Sequence, residues 1–284
     1  MDAAHHAREF TTISMVVYSM LRVLHGYVHE NNFYSELLRE NALVFIPAVN
    51  YDGVAYISKA FDEHKKFASI RKSRHIYEGM ESCKAEDQGV DLNRNYGFEF
   101  AHDDEGSTDL LCNSMYRGPS AFSEPETQAM RKLCTTFTTI RVALNMHTCA
   151  CGPLFVIPFN FDDERDDFLN KDKFEKAHDF YQTLYDESVK EIGYKLGNGA
   201  QTIAYEANGE ASDWMLGKRH IYAISPELGI EDKKSEEFWI KSAEVLEEVL
   251  KQNFSWVEAI LLRFFPKLSV IHEGAPESNE MSYA

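Results

Sequence analysis

Four short, mainly apolar runs, the first of them continuous, constrain this chain more than any other feature. They are ALVFIPAVN (42–50), TIRVALNMH (139–147), PLFVIP (153–158) and IYAISPEL (221–228). Runs that are apolar at successive positions, with no polar alternate face, fit strands covered on both sides. The first is followed by NYDG, which reads as a turn. Helical patterns lie between the runs. Segment 11–29 spaces Ile13, Val16, Val17, Met20, Leu21 and Leu24 as an apolar stripe. Segment 123–137 opens with Ser123, Pro125 and Glu126, a capping-box start. Further helices are expected over 163–192, 209–219 and 235–252. Strands alternating with helices imply an α/β fold, a sheet with helices on both faces. The polar stretch 59–118 has weak periodicity, and a loop that long is usually functional or tied down.

With 284 residues, the chain can build one large core. One domain over residues 1–271 and a polar tail over 272–284 are expected. The formal net charge of −17 repels phosphate backbones and anionic lipid surfaces, which argues against nucleic acid and membrane as partners. The most apolar stretches, 14–25 and 257–271, are short and carry Arg22, Arg263 and Pro266, so neither reads as a bilayer span. Nothing before Ala3 reads as a secretory signal. Five cysteines are too few for a disulfide scaffold, and at least one stays unpaired within the chain.

Several residues have the chemistry of metal ligands. His6 and Glu9 stand three apart and fall on one side of a helical turn, so one ion could touch both. The alternative is an exposed polar turn. Zinc accepts imidazole nitrogen and carboxylate oxygen, and a catalytic zinc keeps three protein ligands plus water. His147 closes an apolar strand, at the end of an α/β sheet where ligands bind; a satisfied core histidine is the competing reading. His5 is a rival ligand with the wrong spacing to the glutamate. Glu227 ends another apolar run, where a carboxylate needs a partner; it could act as a general base or cap a helix near Gly229.

HARE (6–9), VDLNRNY (90–96), the strand-end His147, YEANGEASDW (205–214) and SPELG (225–229) occur in that order. Together they resemble the zinc metallocarboxypeptidases of the pancreatic carboxypeptidase A/B type, over residues 1 to about 252. The resemblance implies a mixed, mostly parallel twisted sheet with helices on both faces, and one Zn2+ per chain held by His6, Glu9 and His147. Asp91 matches the carboxylate that orients the first ligand histidine. Asn93 and Arg94 match the pair gripping a substrate's terminal carboxylate, and Tyr205 the tyrosine that closes over it. Arg71 matches the arginine that polarises the scissile carbonyl, although KKFASIRKSRHI also reads as a solvated basic face. Glu227 matches the catalytic glutamate. The implied activity is removal of single C-terminal residues from peptides and proteins by a monomeric enzyme.

Seven residues after the tyrosine, Ser212 takes the position near the base of the side-chain pocket, with Ser225 and Asn160 as further lining candidates. That neutral set favours an uncharged C-terminal residue. Cys83 and Cys112 resemble the family's disulfide and imply an oxidising compartment, secreted or vacuolar. The sequon at Asn253 agrees with that location. Cys149 and Cys151 read as small buried residues or an extra disulfide, with a thiolate ligand as the alternative. Family domains place strands before the histidine loop, so the N-terminal strands look missing and Met1 looks internal. A truncated, catalytically impaired protein that binds peptide C-termini is therefore the competing reading. A third is a deacylase or deglutamylase of the same superfold, against which Asn93, Arg94 and Tyr205 argue.

Overall fold

A computed structural model describes residues 1–29, 31–149, 151–161, 171–229, 240 and 242–264. Five strands form one sheet: β1 (Asp2–Ala3), β2 (Val142–Met146), β3 (Leu154–Val156), β4 (Lys195–Gly197) and β5 (Tyr222–Glu227), in the order β1-β2-β5-β3-β4. The β1·β2, β2·β5 and β3·β4 pairs are parallel, and β3·β5 is antiparallel. The sheet is thus mixed and mostly parallel, as expected.

Alternation along the central strands divides two cores. Leu144, Met146 and Ile224 join one core with α1 (Phe10–Val28), α5 (Lys171–Leu184) and α8 (Ala243–Phe264). Ala143 and Ala223 join the other with α4 (Pro125–Thr136) and α7 (Ala211–Arg219). Small residues on the second face let Trp214, Met215 and Phe122 approach closely. Among the described residues, no helix is long and apolar enough to cross a membrane.

Several expectations need correction. Residues 42–50 are not a buried strand. Only Ile46 bridges β1, and Val44 is 39% exposed. The partner strand is two residues long, so it offers few ladder positions: Met1 N–H donates to Val44 O, Ala3 N–H to Ile46 O and Ile46 N–H to Met1 O. The NYDG segment starts a helix, α3 (Tyr51–His64), rather than a turn. Asn50 Oδ1 accepts from Gly53 N–H at 3.0 Å as its cap. The helix at 125 has no capping box: its N-cap is Glu124, with Pro125 in the first turn, and Ser123 Oγ donates to Glu124 instead. On α1, Leu21 and Leu24 are exposed, and the buried stripe is Met15, Val16, Ser19, Val23 and Gly26.

The expected helix 163–192 begins outside the described residues. It runs as α5, then a π turn (Tyr185–Val189) and a 3-10 turn (Lys190–Ile192), ending at Gly193 with φ 80°. The last helix likewise starts outside the described residues by expectation; α8 opens at Ala243 and continues to Phe264, well past residue 252. The tail 272–284 lies outside the described residues. Two short helices, α2 (Asn32–Glu40) and α6 (Gly199–Ile203), had no sequence expectation.

The long polar segment is tied down after α3 ends. Cys83 and Cys112 are disulfide-bonded, with Cα atoms 5.3 Å apart. Lys72 is fully buried and donates from Nζ to Leu111 O at 2.9 Å and Asn113 O at 2.8 Å. Asn95 Nδ2 donates to Arg117 O and Ser120 O, and its Oδ1 accepts from Thr127 Oγ1. These bonds give a structureless loop the fixed geometry that buried polar groups demand.

Candidate metal centre and substrate pocket

The parallel pair β2·β5 brings two chemical side chains together. Both strands end at the same side of the sheet, with His147 following β2 and Glu227 closing β5. His147 N–H donates to Pro226 O at 2.9 Å, and Leu228 N–H to His147 O at 2.8 Å. β1 lies on the other side of β2, with Ala3 opposite Met146. Ala4 then adopts φ 53°, which turns the chain across the strand ends and delivers His5 and His6 beside His147.

Glu9 is the N-cap residue of α1, yet its carboxylate does not cap the helix. It points into the cluster. Oε1 lies 2.7 Å from His6 Nδ1, and Oε2 lies 3.2 Å from both His147 Nδ1 and Thr148 N. His6, Glu9 and His147 are all buried, and one ligand atom from each lies within 4.8 Å of the others. Burial would raise the Glu9 pKa, but His6 and then His147 hold it well below the usual carboxylate range. Burial works against protonating His147, but the hydrogen bond and charge of Glu9 outweigh it and raise its pKa to about 9. Three buried donors that converge on one point, two of them nitrogen and one carboxylate, suit a zinc-sized cation.

His6 Nε2 faces Asp91 Oδ1 at 3.1 Å. The other oxygen, Oδ2, accepts from Arg71 Nε at 2.8 Å and lies 2.8 Å from Arg71 Nη2. Asp91 therefore links the expected polarising arginine to the first histidine. Burial would raise the Asp91 pKa; Arg71 and His6 hold it far below normal. His5 turns away from the cluster: Nε2 pairs with Tyr96 Oη at 2.8 Å, and Nδ1 lies 3.3 Å from Asp2 Oδ1. Burial pushes Glu227 up to about 8, helped by Glu9 and opposed by His147 and Arg71, and its Oε2 is buried with no hydrogen-bond partner.

The second half of the site joins residues 90–96 to 205–214. Tyr96 N–H donates to Gly209 O at 2.9 Å. Gly209 has φ 72°, and a Cβ there would meet Arg94 O at 2.4 Å, so only glycine permits this approach. Arg94 is buried and Tyr205 is 43% exposed above it. Ser212 and Ser225 are buried with Oγ atoms that lack hydrogen-bond partners. Asn160 is buried and fully engaged in hydrogen bonds. Its N–H and Nδ2 both donate to Asp213 at 2.9 Å, and its Oδ1 accepts from Gly199 N–H at 2.7 Å.

Comparison with known proteins gives the family and the fold. The zinc carboxypeptidase family profile matches residues 1–255. The chain belongs to the zinc carboxypeptidase family. It is 30% identical to carboxypeptidase B of Astacus astacus over 80% of this chain and 69% of that protein. It is 26% identical to carboxypeptidase A5 of Macaca fascicularis over 80% of this chain and 48% of that protein. The chain spans about half the length of most of the curated relatives it matches. Among solved structures, thrombin-activatable fibrinolysis inhibitor superposes with TM-score 0.73 at 22% identity, over 94% of this chain and 64% of that one. Carboxypeptidase A of Helicoverpa armigera gives 0.64 at 20% identity, over 97% and 61%. These two matches establish the fold.

One site residue escaped the sequence reading. Glu210, buried at the start of α7, places Oε1 2.7 Å from Arg94 Nη1 and 3.4 Å from Asn93 Nδ2. The expected lining of Ser212, Ser225 and Asn160 did not include this carboxylate, which stands two residues before Ser212 and pairs with Arg94. The sequon is a second correction: Asn253 is fully buried, bonded to Tyr194 Oη, Trp256 Nε1 and Val249 O, and cannot receive a glycan in the folded chain. Cys149 and Cys151 form a disulfide, and Cys134 is free and buried.

Proposed function

We propose that this chain carries the catalytic centre of a zinc-dependent metallocarboxypeptidase that removes single C-terminal residues from peptides and proteins. The observation that carries this reading is the convergence of buried His6, Glu9 and His147 beside Glu227. His6 Nδ1, Glu9 and His147 Nδ1 would hold one zinc ion. When bound, zinc supplies Lewis acidity and an activated water. Asp91 orients His6 by accepting from its Nε2 side.

Glu227 takes a proton from the attacking water and passes it to the leaving amine. Its unpartnered buried Oε2 is the free acceptor this task requires. Arg71 adds fixed positive charge near the developing oxyanion, held in place by Asp91. Arg94, Asn93 and the Tyr205 hydroxyl receive the substrate's terminal carboxylate, because a guanidinium fork matches a carboxylate and not an amide. Ser212 lines the pocket for the leaving residue's side chain. The Cys83–Cys112 disulfide supports an oxidising compartment, secreted or vacuolar.

One observation favours a second reading, a protein that binds peptide C-termini without cleaving them: Arg94 is already paired with Glu210. Mass spectrometry of an incubated peptide decides between the two. Zinc-dependent loss of single C-terminal residues, abolished in Glu227→Gln, supports the peptidase. Tight zinc binding with no trimming supports the binder.

A further inference from the structure

We infer that Glu210 selects a basic residue, lysine or arginine, at the C-terminus that enters this pocket. The inference rests on the proposed carboxylate-gripping role of Arg94 and names the substrate class of that site.

The charge count leads to it. Arg94 has only a 2% exposed side chain and Glu210 an 11% exposed one, so the two neutralise each other away from water. Arg94 also bonds the Tyr205 side chain, and it donates to backbone from Nε to Gly106 O and from Nη1 to Asn93 O. Glu210 is the group standing where a terminal carboxylate would meet the fork. It does this although it is the N-cap of α7, and its side chain makes no cap bond. The helix start is served instead by Asn93 Oδ1, which accepts from Ala211 N–H at 3.1 Å.

A substrate carboxylate that takes over Arg94 leaves Glu210 without its cation. The buried site would then hold two carboxylates against one guanidinium. An unpaired buried charge is costly, and a pair broken on one side costs far more than a pair never made. A leaving residue with an ammonium or guanidinium side chain restores the balance, because it brings one positive charge to the side of the pocket where Glu210 is released. A neutral side chain leaves the deficit in place, and an acidic one adds to it.

The walls agree with a cation. Ser212 and Ser225 offer buried, unpartnered hydroxyl oxygens that can accept from an N–H donor. Asp213, three residues from Glu210, is fully buried and has its pKa pushed well up, first by burial and then by the charge of Glu210. Burial favours a neutral Asp213, so Glu210 is the carboxylate here whose charge depends on Arg94. No positively charged side chain other than Arg94 pairs with Glu210 among the described residues.

The test compares kcat/KM for acyl-dipeptides ending in Arg, Lys, Phe, Leu and Glu, using zinc-loaded wild type, Glu210→Gln and Glu210→Asp. Wild type is expected to favour Arg and Lys over Phe and Leu by at least about tenfold, the scale of one well-placed charge contact. Glu210→Gln should lose that preference and gain on Phe and Leu, while Glu210→Asp keeps basic ends ahead. A wild type that prefers Phe or Leu overturns the inference, as does a Glu210→Gln variant that slows every substrate by the same factor. Should no substrate be cleaved, the peptidase reading fails separately. Calorimetric binding of 4-guanidinobutyrate against 3-phenylpropanoate then decides. Tighter binding of the guanidino acid, lost in Glu210→Gln, supports the inference, and equal binding overturns it.

Discussion

Two buried polar corners share one edge of this sheet, and they treat carboxylates in opposite ways. In the metal corner, Glu9 and Asp91 face His6, His147 and Arg71, and both carboxyls are held far below the usual range. In the pocket corner, Glu210 pairs with Arg94, and Asp213, which accepts from Asn160, is pushed well above it, first by burial. Burial acts identically on both. The difference lies in the count of nearby positive groups, which decides whether a buried carboxylate stays charged. The first corner is prepared for a cation by converging ligand atoms. In the second, the inferred preference for a cation depends on substrate displacing Glu210 from Arg94.

Removing one member from each corner breaks this comparison most sharply. Arg94→Met strands Glu210, and the cost to folding stability is expected to be about 3–5 kcal/mol by chemical denaturation. The double variant Arg94→Met/Glu210→Met should recover most of that loss, because no buried charge is left unpaired. A double variant no more stable than the single one contradicts the pair as described.

In the metal corner the effect should fall on affinity. Asp91→Ala is expected to weaken zinc binding roughly 10–100-fold in a chelator competition, because His6 loses the acceptor that fixes its ring. His147→Ala, which removes a ligand itself, should weaken binding further still. Equal effects from both would show that Asp91 does more than orient.

The comparison is legible in the sequence only on one side. His147 and Glu227 stand out because each ends an apolar run, and parallel neighbours place their C-terminal ends side by side. His6 and Glu9 show as a spaced pair, joined in the structure by a turn in which Glu9 N–H donates to His6 O at 3.1 Å. Glu210 carries no such mark. A glutamate before a helix is ordinary, and its partner Arg94 lies 116 residues away. Helix α3 was hidden for a related reason. Asn50 before Tyr-Asp-Gly has the composition of a turn, and only its bonds to Gly53 N–H, His5 O and Lys72 O reveal a helix cap that also braces the histidine loop. Capping and turn chemistry use the same residues, so composition cannot separate them.

A milder probe uses pH. His147 in the zinc-free protein has its pKa raised to about 9 by Glu9, against the pull of burial. Zinc must displace that proton, so affinity should rise with pH by up to tenfold per unit from neutral towards about 9, and then level. A flat profile between pH 6 and 8 contradicts the Glu9–His147 coupling. The smallest expected effect is in the pocket corner. Tyr205→Phe removes the hydroxyl that bonds Arg94, which should raise KM by the equivalent of about 0.5–1.5 kcal/mol with a smaller effect on stability. A fall in kcat alone would assign Tyr205 to the chemical step instead.

The central claim is that this site requires a free carboxylate beside a zinc-bound reaction centre. It is tested most directly with one peptide made as the free acid and as the C-terminal amide, incubated with zinc-loaded protein and read by mass spectrometry. The account predicts that the acid loses residues one at a time from its C-terminus while the amide stays intact, and that chelation stops the loss. Cleavage of the amide at a comparable rate, or internal cleavage of either peptide, would contradict it.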